Sequence, residues 1–100
     1  MNIVDEKILL IQIIGALEAM QRGSITITEG EKYIFSPRSV NKYKEARYSD
    51  NIINLIERGC ELEDIESLLP NKISSSMEEI KEDALMLLNK YDAVEDKQWL

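Results

Sequence analysis

Apolar positions recur at helical spacing over most of this chain, and the first segment sets the pattern. Ile3, Val4, Leu10, Ile14 and Leu17 share one side of a 3.6-residue helix, and Ile8, Leu9, Ile11 and Ile13 widen that side almost all round. Asn2 is placed to cap this helix, Asp5 and Glu6 sit in its first turn where the dipole favours acids, and Gly23 stops it after Arg22. A helix apolar on so many sides belongs in the middle of a bundle. Gly15, in its interior, predicts close approach by another backbone.

The period then changes. In Ser24–Phe35 the apolar Ile25 and Ile27 alternate with Thr26 and Thr28, Glu29-Gly30 reads as a tight turn, and Lys32–Phe35 reads as a returning strand. This predicts a β-hairpin over 24–35 with one face on the helices and edges open to a partner strand. Ser36-Pro37 restarts helix, with serine at the N-cap and proline in the first turn.

Two short helices follow in Tyr48–Pro70. Ser49 is the expected N-cap, Ile52, Ile53, Leu55 and Ile56 the inner side, and Gly59 the left-handed residue that ends the first helix. The second begins near Glu61, turns Leu62, Ile65, Leu68 and Leu69 inward, and ends before Pro70. Ser75 with Glu78, or Ser76 with Glu79, has the spacing of a capping box for a last helix reaching Tyr91. Met77, Ile80, Ala84, Leu87, Leu88 and Tyr91 form its inner stripe, and Leu85 and Met86 lie outside it. The fold expected is mainly α: about five helices packed as a small bundle with one β-hairpin. Residues 1–100 form a single domain, with a flexible tail over about 92–100 and Trp99 folding back onto the domain.

Composition narrows the functions. Nineteen acidic residues against 12 basic ones give a net charge of −7 in 100 residues. That disfavours nucleic-acid backbone and anionic membrane as partners and favours a basic protein. The charge is also segregated. Residues 32–47 hold Lys32, Arg38, Lys42, Lys44 and Arg47 against Glu45 (five less one, +4), and residues 50–66 hold six acids against Arg58 (−5). Adjacent helices of opposite sign would satisfy one another in the simplest reading.

The chain has no histidine and a single cysteine, Cys60. No His-based dyad, triad or metal site can be assembled, and no Gly-rich loop cradles a phosphate, so neither catalytic residues nor a cofactor nor a metal is expected. Cys60 reads as a small core filler. The apolar run Ile8–Leu17 is too short to span a bilayer and follows acids rather than a basic flank, so a cytoplasmic protein is expected.

The stretch NIINLIERGCELEDIESLLP resembles a family of small bacterial proteins, and the chain is similar to immunity proteins of contact-dependent growth inhibition systems. That resemblance implies a toxin nuclease domain as the basic partner. The acids that would meet it are Glu57, Glu61, Glu63, Asp64 and Glu66, joined by Glu78, Glu82 and Asp83. Like-charged pairs such as Glu78/Glu82, four residues apart, cost a helix a few tenths of a kcal/mol, and a helix selected only for stability would carry lysines there. Two other readings stand beside this one. Leu55–Leu69 resembles the helix–glycine turn–helix of DNA-binding regulators in spacing, although the helices available as readers are acidic. A self-associating adaptor would instead form a homodimer through Leu85, Met86 and Trp99.

Overall fold

The computed structural model describes residues 2–94 and Trp99. The chain is mainly α, and the described residues form a small bundle of six α-helices and one 3-10 turn: α1 (Ile3–Gln21), α2 (Ile27–Tyr33), α3 (Pro37–Glu45), α4 (Asp50–Cys60), α5 (Leu62–Leu68), the 3-10 turn Pro70–Lys72 and α6 (Ile73–Asn89). No helix among the described residues is long and apolar enough to cross a membrane.

The long helices α1 and α6 run antiparallel. Gln21 reaches Glu78 at 3.5 Å, Lys81 reaches Glu18 at 2.8 Å, and the Tyr91 hydroxyl donates to Glu6, so the pairing descends one helix as it climbs the other. One apolar cluster fills the interior. Leu10, Ile13 and Leu17 of α1 meet Ile52 and Ile56 of α4, Leu62 of α5 and Ala84 of α6, all wholly buried. Asn2 caps α1 by accepting from the Asp5 amide at 2.9 Å, and Gly23 takes a left-handed φ of 74° past its end. Yet α1 is not enclosed on all sides, for Ile3 and Ile11 are exposed.

The expected hairpin over 24–35 is not formed, and no strand occurs among the described residues. Residues 27–33 are helix α2, because Thr26 and Glu29 make a complete capping box. The Thr26 hydroxyl accepts from the Glu29 amide at 3.0 Å, and the Glu29 carboxylate accepts from the Thr26 amide at 2.9 Å. Two orphan amides are satisfied at once, and this outweighs the β-branched alternation of ITIT. The expected hairpin turn at Gly30 is inside this helix, buried against the Met20 thioether. The count of about five helices with a hairpin is therefore replaced by six.

Gly59 is also reassigned. It lies within α4 without positive φ, and a Cβ there would meet the Phe35 ring, with Cε1 and Cγ both 2.6 Å away. Its missing side chain is what lets the buried Phe35 lie flat on α4. Leu68 and Leu69, expected to point inward, are 76% and 53% exposed. Helix α5 has only 7 residues, and Leu62 and Ile65 already occupy its inner side before Pro70 ends it. The serines 74–76 lie inside α6 and form no capping box; Ser75 donates instead to the Lys72 carbonyl at 3.1 Å.

Ser49 precedes α4 as expected but makes no side-chain cap. Its amide donates to Glu6 at 3.3 Å, and the same carboxylate accepts from Tyr91. One acid of α1 thus ties the start of α4 to the residue beyond α6. Burial, and then the bond to Glu6, push the Tyr91 phenol up to about 12. The expected flexible tail lies largely outside the described residues. Trp99 does fold back: its indole donates to the Val94 carbonyl at 3.3 Å, and Lys7 lies over its ring at 5.9 Å.

Candidate protein-binding surface

Of the five acids of α4, α5 and their junction, Glu57, Glu61, Glu63 and Asp64 gather near Glu31 and Cys60, whereas Glu66 lines a groove with Thr28, Ile73 and Met77. Glu57 sits in the last turns of α4, Glu61 is the single residue between the helices, and Glu63, Asp64 and Glu66 belong to α5. Glu61, Asp64 and Leu68 follow at i, i+3 and i+7, so they share the outward side, and Leu68 adds a bare apolar tip to a row of carboxylates.

Helix α2 adds a carboxylate that the hairpin reading placed elsewhere. Thr28 donates to Glu63 at 3.0 Å, and Glu31, one turn further along α2, hydrogen-bonds the Glu63 carboxyl. The Glu31 carboxyl is accordingly held above its ordinary value, first by the bond to Glu63, then by partial desolvation and the charges of Glu63 and Asp64. The capping signal Thr26-x-x-Glu29 was the clue that would have placed Glu31 here.

Counter-charge on this side is sparse. Glu57 has Lys44 of α3 at 3.8 Å, both half-exposed, a contact at the edge of ion-pair range. Among the described residues Glu61, Asp64 and Glu66 make no ion pair. The segregated charges of the α3 and α4–α5 segments thus neutralise each other only in small part. Lys42 lies instead over its neighbour Tyr43, 5.2 Å from the ring centre, and Lys32, Arg38 and Lys42 line a groove with Ser36 and Ser39 that Glu31 borders.

Cys60 is half-buried beneath this surface. Burial raises its thiol, and Glu31, Glu57 and Glu61 raise it further, so the nucleophilic thiolate is disfavoured. No group of three or more metal-ligating side chains is positioned to hold an ion among the described residues.

A family model described as a protein of unknown function (DUF3969) matches residues 2–100. The chain belongs to the DUF3969 family. No curated protein and no solved structure matches it.

The three acids of α6 stand apart from the cluster of this DUF3969 chain. Glu78 faces α1, 3.2 Å from Lys81 and within reach of Gln21, and Asp83 holds Arg58 of α4 at 2.8 Å. Both are neutralised within the chain. Glu82 is exposed and makes no ion pair among the described residues. Of the residues expected at the self-associating surface, Met86 is exposed beside a groove of about 250 Å³ between α4 and α6, Leu85 is half-buried, and Trp99 lies against Lys7 of α1.

Proposed function

We propose that this DUF3969 protein is a catalytically inert binding protein whose acidic surface occupies a basic protein, most concretely an immunity protein that blocks a toxin nuclease domain. The observation that carries the reading is the Glu31–Glu63 pair. Two half-buried acids crowd each other beside Asp64, with only Lys32 to offset them, and that crowding is relieved when a partner supplies lysines or arginines. Leu68 and Leu69, exposed at the end of the same helix, supply the apolar contact that a charged rim alone lacks. A nuclease cleft is basic because it holds a polyanion, and an acidic surface competes for the same groups with steered, fast association. The contact residues are Glu31, Glu61, Glu63, Asp64, Glu66 and Leu68; Glu78 and Asp83, already paired, are left out.

The helix-turn-helix alternative draws less support. That motif needs a turn of three or four residues between its helices, whereas α4 and α5 are separated by Glu61 alone, in right-handed helical conformation. The experiment is affinity capture from the native host with the wild-type protein and with the Glu63→Lys/Glu66→Lys double variant. A basic nuclease domain retained by the first and lost by the second, and inhibited at one-to-one stoichiometry, supports the proposal. A captured protein held equally well by both forms at low salt would overturn the assignment of the surface.

A further inference from the structure

We infer that the outward face of α1 is a self-association surface on which two copies of the chain pair antiparallel. At 100° per residue, the direction of Gly15 is shared by Val4, Ile8, Ile11 and Ala19, and no charged residue interrupts that row before Arg22. Ile11 is 50% exposed, and beside it Gly15, Ala19, Ile25 and Tyr33 line a shallow apolar groove between α1 and α2.

Gly15 is the informative residue. Glycine inside a helix costs about 1 kcal/mol relative to alanine. Among the described residues nothing lies within 4 Å of where its Cβ would stand, whereas the Cβ positions of Gly30 and Gly59 are occupied by Met20 and Phe35. The fold gains nothing from the missing side chain. A knob and a notch therefore sit one turn apart on the same apolar row, Ile11 and Gly15. A two-fold axis between them drops each Ile11 into the partner copy's Gly15 notch, which is the self-complementarity that a two-fold interface requires.

The flanking charges obey the same axis. Lys7 and Glu18 are separated by close to three helical turns, so they border the same edge of the row, on opposite sides of its centre. Antiparallel pairing brings each Lys7 to the Glu18 of the second copy. The midpoint of Lys7 and Glu18 and the midpoint of Ile11 and Gly15 agree to within one residue, so a single axis serves both. Lys7 already donates to the Asp92 carbonyl at 2.9 Å and lies over Trp99, and Glu18 already accepts from Lys81 at 2.8 Å and from Arg22. An ammonium has three protons and a carboxylate about four acceptor sites, so each has capacity for a further bond. One helix face and its shallow groove fall short of a standard interface, which places the dimer in the micromolar to millimolar range.

Sedimentation velocity across that concentration range tests this. The wild-type mass should climb from 11.5 kDa toward twice that value. Gly15→Glu and Ile11→Glu should each raise the dimer Kd at least about tenfold, since either buries an unpaired charge, while helical circular dichroism stays unchanged because both positions face solvent. Oxidation of an equimolar Ile11→Cys and Gly15→Cys mixture should give the mixed disulfide well beyond the twofold excess over either homodimer that random pairing yields. A wild-type protein that stays monomeric throughout overturns the inference. So does a dimer that Gly15→Glu leaves intact and Met86→Glu abolishes, for that result would move the contact to α6.

Discussion

Glycine is where single residues speak most plainly in this chain, because three helical glycines have three different surroundings. Gly59→Ala drives a methyl into the Phe35 ring, which is 1% exposed and enclosed by the core, so neither group can step aside. Overpacking of this kind costs about 1–3 kcal/mol, and urea unfolding should show it as a lowered midpoint with an unchanged slope. Gly15→Ala, with open space around it, should at low micromolar concentration stabilise by about 0.5–1 kcal/mol. A sequence reader sees all of these only as glycine. Gly23 was legible as a helix stop because the apolar pattern ended with it. Gly59 looked the same, although its cause, Phe35, lies 24 positions away in the sequence and no local pattern points to it.

Among the elements, α2 separates what sequence patterns reveal from what they conceal. The segments of α1, α4 and α6 were legible because their apolar faces repeat over several turns, and Ser36-Pro37 and Asn2 sit where capping chemistry puts them. A seven-residue helix offers barely two turns, too few for a period to register against the alternation of Ile25 to Thr28. Its start signal was nonetheless present. Removing it by Thr26→Ala should cost about 1 kcal/mol, and hydrogen exchange should show the amides of residues 29–33 losing protection before those of α1. The error propagated to the candidate surface. A hairpin strand would have carried Glu31 away from α5, whereas the helix turns it onto Glu63 beside Thr28. The acids of α5 were legible as a row, but the pairing of Asp83 was not, since Arg58 reaches it through packing of separate helices.

At the scale of the whole molecule, the net charge of −7 acts through two carboxylates that respond to pH in opposite senses. Arg22 and Lys81 hold Glu18 down to about 2, so its contribution is present above the ordinary value of 4.5 and is lost as pH falls toward 2. Glu31 is raised by Glu63, so the folded state holds that proton more tightly than the unfolded chain does, and stability declines as pH rises above 4.5. Glu31→Gln keeps a hydrogen-bond donor for Glu63 without needing the proton. Its melting temperature should therefore exceed that of the wild type at pH 7, and the two should converge near pH 4, where Glu31 is protonated in either state. The same substitution removes one of the charges offered to a basic partner, and it should lower that affinity most at low salt, where screening is weakest. Thermal melts and binding isotherms on one pair of proteins thus divide the two meanings of the acidic surface. A variant that is more stable and binds less tightly shows carboxylates retained for a partner at the expense of the fold. A variant that gains stability and loses no affinity marks Glu31 and Glu63 as solvated acids, and the partner surface must then be sought elsewhere on the molecule.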